Sequence, residues 1–482
     1  MTTKVDGRED TGFVEPRHLR PTWGPRAAWE RLRDQAAARR LTRLLDPPEP
    51  EEPGDPETYR AMDLALRVGE LLLASGETTE SVSEAMQSLS VAYGLHNSEA
   101  AVTFTAISVS FLPGKGLAPV TGERVVRRRT LDYSKIDAVH KLVEECALGR
   151  LDLDEAIERL RVIKRDKPPY PRWLLAVSLA LVSASASLLS GGGWLVTIFA
   201  FIGTFLADRA AAWLGRRGVA EFYQYAAAAL IATLVVIALV VLHAPVAAST
   251  VIIGAIMALL PGRPLVAAVM DGIAGSFVSS TARMMEAFFT VAALLAGIGV
   301  TVYAAVRMGL PLSVDDLPTA GPALTAGTLA GAVAMSVVFA ISLVVPRRAL
   351  PTAAVGGALI WVLYVFLYDH GFSQVMASAV AAAVVGTGGH LMARRHGSPA
   401  LPYIVPLMGP LLPGSLMYRA LVELSGSNAN DGALTLFQSI AVALALAAGL
   451  SLGGELVRGF GRGRLVGAGP RNRPAARRTR GY

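Results

Sequence analysis

The chain of 482 residues is 52% hydrophobic and 17% charged, with a formal net charge of +7 and a mean hydropathy of +0.45. Soluble proteins of this length carry roughly a quarter charged residues. The deficit is local, because charged side chains make up only about 7% of residues 173–457. A single soluble domain is therefore excluded, and the composition predicts a polytopic α-helical membrane protein with a soluble N-terminal part.

The termini and the single cysteine exclude several other classes. The tail from Arg458 onward contains eight Arg and no acidic residue, which is typical of a segment on an anionic cytoplasmic membrane face. Residues 458–482 are thus predicted to be a basic cytoplasmic tail, and nucleic acid is not an expected partner. Lone Cys146 excludes an internal disulfide framework, and the polar N-terminus contains no apolar stretch of the kind found in signal peptides.

The region before the apolar block divides into a leader and a small domain. Residues 1–56, rich in Arg, Pro and Glu, predict a disordered leader and linker. Residues 57–168 predict a cytoplasmic α+β domain, in which Gly76 and Gly94 end the first two helices. A strand is expected over 101–112 and a second near 123–130, followed by helices over 135–148 and 153–164.

The apolar block predicts about ten transmembrane helices in two halves, 169–310 and 311–457. The expected spans are 173–190, 194–212, 223–243, 246–262, 285–306, 323–345, 352–368, 373–393, 400–418 and 433–456. Residues 264–281 are interpreted as a broken or re-entrant continuation of the fourth span. Arg and Lys concentrate in alternate loops, which predicts that both termini are cytoplasmic in a bacterial plasma membrane.

A short repeat links the two halves. The run Leu259-Leu260-Pro261-Gly262 recurs 152 residues later as Leu411-Leu412-Pro413-Gly414. The same offset places Asp271 on Glu423, Glu286 on Gln438 and Gly297 on Gly449. Because each half has an odd number of spans, the second copy should be inverted, an architecture found in secondary transporters.

The two Pro-Gly pairs, Pro261-Gly262 and Pro413-Gly414, are the first candidates for a substrate site. Proline removes a helix hydrogen bond and glycine frees the backbone, so each helix should break there. Inside a membrane, the freed polar groups must meet protein, water or a ligand. The alternative is a turn at the membrane surface, which Arg263 favours for the first copy.

Charged residues after the first break are the second set of candidates. A carboxylate among apolar residues is costly unless it is paired or solvated, so Asp271 is predicted to bind a substrate ammonium group or a coupling proton. Gly275 belongs to the same run. Arg283 and Glu286, three residues apart, fit either a site role or a structural ion pair. Asp208 beside Arg209 and Glu423 beside Arg419 are weaker candidates, typical of surface pairs.

The soluble domain offers no enzyme motif. It lacks a phosphate-binding loop and a nucleophile elbow, so an enzyme or an ATP-driven pump is not expected, and no cofactor or metal is predicted. Residues 69–78 place polar side chains at a helix end, which fits a capped core helix or, alternatively, a regulatory or substrate-gating surface.

Several of these motifs resemble the bacterial threonine/serine exporter family in its single-chain form. Residues 69–78 with 92–95 are similar to the family's soluble domain, and residues 260–262, 271–275, 282–283 and 286–287 to its membrane signature. Residues 406–407, 412–414 and Gly449 are a weaker match to its second membrane half. The charged leader and the Arg tail are not part of the family pattern.

The resemblance implies a plasma-membrane exporter of threonine and serine, driven by the proton-motive force. The expected partners are a small amino acid, protons and membrane lipid, and the sequence leaves a homo-oligomer open. Two alternatives remain: a dicarboxylate exporter of the succinate type, which an acidic site disfavours, and a membrane-tethered sensor whose soluble domain binds the ligand.

Overall fold

The structure is a computed structural model that describes residues 56–114, 117–126, 130–242, 248–308, 322–425 and 429–460. Residues 1–55 of the predicted leader and residues 461–482 of the predicted tail lie outside the described residues. Residues 127–129 at the end of the second predicted strand do so as well.

The N-terminal domain consists of helices around a three-stranded antiparallel sheet. Its elements are α1 (Pro56–Ser75), α2 (Thr79–Ala92), β1 (Ser98–Val102), β2 (Ala106–Phe111), β3 (Val120–Val125), α3 (Tyr133–Ala147) and α4 (Leu153–Arg165). The sheet order is β1-β2-β3, with Ser98 paired to Phe111 and Ala106 to Val125. Gly76 and Gly94, with positive φ of 99° and 87°, follow the first two helices as predicted.

The prediction of one strand over 101–112 is wrong, because this stretch is the end of β1, a tight turn and β2. The Thr103 side chain stabilises the turn, since its Oγ1 lies 3.1 Å from both the amide and the carbonyl oxygen of Ala106. Threonine favours strands by propensity, but here its hydroxyl bonds locally and closes a hairpin. Phe104 is thereby placed at the hairpin tip.

The apolar segments form a helical bundle. Its helices are α5 (Arg172–Leu189), α6 (Trp194–Arg216), α7 (Glu221–Val241), α8 (Ala248–Met257), α9 (Gly262–Ile273), α10 (Phe277–Arg307), α11 (Ala326–Ser342), α12 (Leu350–Asp369), α13 (Gln374–His396), α14 (Leu401–Met408), α15 (Gly414–Ser425) and α16 (Ala429–Phe460). Eight segments of the described chain are long and apolar enough to cross a membrane, and Ala326–Ser342 and Leu401–Leu411 are shorter apolar helices. The ten follow the predicted order, and the chain is a multi-pass membrane protein.

The boundaries of the fourth and fifth spans differ from the prediction. The helix breaks after α8, as the Pro-Gly pair requires, and α9 then runs to Ile273. Gly275, with φ of 88°, turns the chain, and α10 already begins at Phe277, not at residue 285. The Ser-rich stretch after the turn continues as helix, so residues 264–281 are a half-helix, a turn and the start of the next helix.

The two halves are inverted repeats of five elements. Helices α5 and α11 occupy the same place in each half and pack against each other. They run in opposite directions, because Gly331 near the start of α11 packs on Leu188 and Leu189 at the end of α5. At the other end, the Tyr170 hydroxyl just before α5 donates to the Val345 carbonyl just after α11, at 2.7 Å.

Contacts of single residues support the offset of the repeat. A Cβ on Gly297 would lie 2.2 Å from the carbonyl oxygen of Ala226, and a Cβ on Gly449 would lie 2.2 Å from that of Ala379. Each glycine therefore allows the last helix of its half to pack closely on the third. The two halves share this close packing as well as the Pro-Gly break.

The α+β domain is packed on the bundle. Its core, with residues such as Leu72, Met86 and Tyr133, is continuous with the bundle residues Leu343 and Tyr403. The first amides of α3 also bond to the end of α11, with Tyr133 N 3.0 Å from Leu343 O and Ser134 N 2.9 Å from Val344 O. These bonds pair backbone amides at the start of α3 and carbonyls at the end of α11 that have no partner within their own helices.

Candidate functional site

The two Pro-Gly breaks lie next to each other between the halves. A Cβ on Gly262 would lie 3.5 Å from Cβ of Leu412, and a Cβ on Gly414 would lie 3.0 Å from Cγ of Met257. The start of each half-helix thus contacts the break of the other half. Since both half-helices begin here, their positive dipole ends are brought into the same region of the bundle.

Asp271 is held near the end of the first half-helix, α9. Its side chain is only 3% exposed, and its Oδ2 lies 2.7 Å from Nε of Arg283 on α10. The turn at Gly275 allows this geometry, because it reverses the chain between two residues that are 12 positions apart. A buried carboxylate is tolerated when a cation pairs with it, so Arg283, 9% exposed, accounts for the burial of Asp271.

The soluble domain contributes the remaining contacts of this pair. Oγ1 of Thr79, at the start of α2, lies 3.4 Å from Oδ1 of Asp271. The guanidinium of Arg283 lies over the ring of Phe104, 5.3 Å from its centroid, in a cation–π arrangement. The Asp271–Arg283 pair is therefore covered by two side chains of the α+β domain.

Arg263 lies at the same interface and not at a free membrane surface. A Cβ on Gly76 would lie 3.9 Å from its Nη1. Arg263 also interacts with the fully buried Tyr133, whose pKa is raised by burial against the opposing effect of this guanidinium. The turn after the first break is thus in contact with the soluble domain.

Residues 76–79 form the domain edge that contacts the bundle. Glu77, 3% exposed, lies 3.0 Å from Nε2 of His140, and Thr78 caps α2 by accepting from the Ser81 amide at 3.3 Å. Burial by itself lowers the pKa of His140, but the hydrogen bond and charge of Glu77 outweigh it, so the pKa is raised. The capped-helix interpretation of residues 69–78 is confirmed, and the same residues form the interface.

The weaker candidates lie in local ion pairs. Asp208 pairs with the adjacent Arg209. Glu423 accepts from Nε of Arg419 at 2.7 Å and from Oγ1 of Thr435 at 2.5 Å. Arg283, for which either a site role or a pair with Glu286 was expected, bonds to Asp271. Glu286 has an interaction partner as well. Among the described residues, no group of three or more His, Cys, Asp or Glu side chains is arranged to hold a metal ion.

Sequence reasoning missed Thr79, Phe104 and Tyr133, and it left open whether the turn at Arg263 lies at the membrane surface. Thr79 lies within the polar run from Gly76 to Ser81, and this run was the available signal. Nothing in the local sequence of Phe104 or Tyr133 indicates a partner in the bundle, since the contact depends on how two separate regions pack.

Comparison with known proteins identifies relatives of both halves. Residues 63–304 match a family described as "Putative threonine/serine exporter", and residues 328–454 match one described as "Threonine/Serine exporter, ThrE". A "Probable threonine/serine exporter" of Mycobacterium tuberculosis is 32% identical over 422 residues, covering 85% of this chain and 79% of the relative. A "Threonine/serine exporter" of Corynebacterium glutamicum is 28% identical over 88% of this chain and 87% of its own length.

A further relative matches only part of the chain. The "Probable succinate transporter subunit YjjP" of Escherichia coli is 26% identical over 246 residues, covering 50% of this chain and 94% of the relative. No solved structure shows a significant match.

Proposed function

The chain belongs to the threonine/serine exporter family, and from this premise we propose that it exports threonine and serine across the bacterial plasma membrane, driven by the proton-motive force. The names of the relatives from Mycobacterium tuberculosis and Corynebacterium glutamicum support threonine and serine as the substrates. The observation that carries the proposal is the buried Asp271–Arg283 pair, which joins the half-helix after the first Pro-Gly break to the next helix.

The chemistry of this pair suits a zwitterionic amino acid. A substrate ammonium group is attracted to the Asp271 carboxylate, and a substrate carboxylate to the Arg283 guanidinium. A ligand that carries both charges can satisfy both members of a buried pair, which a ligand with one sign of charge cannot.

Proton coupling follows from the same carboxylate. If Asp271 accepts either a proton or the substrate ammonium, the two compete for one site, and proton entry is exchanged for amino-acid exit. In this mechanism the α+β domain and both termini face the cytoplasm, as the distribution of Arg and Lys predicts. Arg348, which bonds to Asp137 of the domain, and Arg347, which bonds to Pro169 O in the segment between the domain and α5, fit this orientation.

Two other functions are less well supported. A dicarboxylate exporter finds a parallel in the succinate-transporter relative, which matches half of the chain, but a dianion is repelled by Asp271. A tethered sensor requires a domain that binds ligand by itself. Here the core of the domain continues into the bundle. This favours a domain that works as part of the transporter over a separate ligand-binding sensor.

The proposal is tested by efflux of labelled threonine, serine and succinate from cells with and without the protein, each with and without a protonophore. Protein-dependent loss of threonine or serine that a protonophore abolishes is the expected result. Efflux of succinate alone would support the dicarboxylate function. No efflux of any of the three, with the protein present in the membrane, would overturn the proposal.

A further inference from the structure

The α+β domain supplies a hydroxyl to the carboxylate that is proposed to bind the substrate. Oδ2 of Asp271 is engaged by Arg283 at 2.7 Å, whereas Oδ1 is approached by the Thr79 hydroxyl at 3.4 Å. The first contact is a short charge-assisted bond, and the second is at the long limit for a hydrogen bond. A stronger donor, such as an ammonium group, can therefore replace Thr79 without breaking the Asp271–Arg283 pair.

Thr79 has little freedom to leave this position alone. The Gly76 amide bonds to Leu73 O at 3.2 Å and the Glu77 amide to Leu72 O at 3.1 Å, so the edge is continuous with α1. Glu77 is in turn held by His140 of α3. Because residues 76–79 are fixed to two helices of the domain, the backbone of Thr79 moves away from Asp271 only together with the domain edge.

The edge also blocks access to the pair. Thr79 is 2% exposed and Asp271 3%, while Phe104 covers the guanidinium of Arg283. Among the described residues, the domain edge thus buries Asp271 against a substrate that arrives from the side of the domain. The described conformation is closed on that side.

We propose that Thr79 is a gating residue, whose hydroxyl occupies the Asp271 oxygen that the substrate ammonium needs, so that substrate binds only when the edge 76–79 withdraws. The inference rests on the proposed export function. It adds that the soluble domain competes with the substrate for one carboxylate oxygen and closes the path from the domain side.

The first test compares the Michaelis constant for threonine export among Thr79 variants. Thr79→Val keeps the branched shape and removes the hydroxyl, so the KM should fall about two- to tenfold, as expected for loss of one competing hydrogen bond. Thr79→Ser keeps a hydroxyl and should match the wild type. Ser88→Ala, an exposed position on α2 where the hydroxyl donates to Glu84 O of the same helix, is the control.

The second test measures movement of the edge. Cys146 is the single cysteine of the chain, so Thr79→Cys in a Cys146→Ala background reports accessibility to a membrane-impermeant thiol reagent in inside-out vesicles. Labelling should be slow without substrate and several-fold faster with threonine. Ser90→Cys, buried in the domain, should stay unlabelled in both conditions, and the exposed Ser88→Cys should label equally in both.

The outcomes separate the two proposals. If the wild type exports threonine but Thr79→Val leaves the KM unchanged and threonine does not alter the labelling of Thr79→Cys, the gate is wrong and the export function stands. If the wild type exports no threonine, the proposed function itself fails. Labelling of Ser90→Cys in step with Thr79→Cys would mean that the domain unfolds, which also contradicts a gate.

Discussion

The two half-helices that follow the Pro-Gly breaks carry acidic residues at corresponding positions, in different surroundings. Asp271 on α9 pairs with Arg283 on α10, and Glu423 on α15 accepts from Thr435 on α16. Arg283 and Thr435 are themselves 152 residues apart, the offset of the repeat. In both halves, therefore, the acid of the half-helix accepts a hydrogen bond from the corresponding position of the next helix.

The surroundings of the two acids differ in charge and in cover. Asp271 is paired with a buried Arg and contacted by Thr79, and Phe104 covers that Arg. Glu423 is held by a neutral hydroxyl and by Arg419, an exposed residue of its own helix. An inverted repeat therefore need not give two equivalent sites. The α+β domain makes one half different, and the position it covers is the one proposed to bind substrate.

The largest expected effect comes from removing the cation of the covered pair. Arg283→Leu leaves the Asp271 charge buried without its partner and should lower the free energy of unfolding by about 3–5 kcal/mol. Thr435→Val, the matched change in the second half, removes one hydrogen bond and should cost about 1 kcal/mol. Detergent-solubilised protein unfolded with increasing SDS provides the measurement, and equal losses would contradict the difference between the halves.

The halves should respond alike where their packing is alike. Gly297→Ala and Gly449→Ala each bring a methyl group within 2.2 Å of a carbonyl oxygen, so each should destabilise the protein by about 1–3 kcal/mol and by similar amounts. Gly299→Ala is the control, since a Cβ there meets no atom within 4 Å among the described residues. A large loss of stability at only one of the two glycines would contradict the equivalent packing of the two halves.

The stability of the α+β domain, which covers the first half, should depend on pH through His140. Its folded-state pKa is raised above 6.5 by Glu77, so the stabilisation is fully present below pH 6.5 and is lost as pH rises through the raised value. Glu77, Asp137 and Glu84 are the charges that act on it. The melting temperature of the wild type should therefore be higher at pH 6 than at pH 8, and this difference should be smaller for His140→Gln. An unchanged pH dependence in this variant would exclude His140 as the source.

The smallest effect concerns a position where the half-helices differ in polarity. Tyr418 on α15 is 1% exposed and its hydroxyl has no hydrogen-bond partner among the described residues, while the corresponding residue on α9 is the apolar Val266. Tyr418→Phe should raise the free energy of unfolding by up to about 1 kcal/mol. Tyr170→Phe, which loses a bond to Val345 O, should lower the free energy of unfolding by a similar amount. Lower stability in both variants would contradict the claim that the Tyr418 hydroxyl lacks a partner.

Much of this architecture follows from local patterns. The apolar lengths predict the order of the ten segments, and the paired Pro-Gly breaks predict two broken helices because proline and glycine act on their own backbone. The burial of Asp271 is likewise foreseeable, since a carboxylate in an apolar run needs a partner. The turn at Gly275 then explains why that partner is Arg283.

The contacts that cross between regions were not predictable in the same way. Thr79 and Asp271 are 192 residues apart, and neither residue carries a local mark of the other. The hairpin at Thr103 was missed because strand propensity and a side-chain turn compete for the same residues. Consequently the sequence indicated the acid and the breaks, whereas the role of the domain edge required the packed structure.

The most direct test of the central claim is efflux of labelled threonine from cells that contain the Asp271→Asn variant. Asparagine keeps the size of the side chain but removes the charge for an ammonium group or a proton. Asp369→Asn, an exposed change at the end of α12, is the control, and all proteins are compared at equal amounts in the membrane. The account predicts that Asp271→Asn abolishes efflux while Asp369→Asn preserves it. Normal efflux by Asp271→Asn would contradict it.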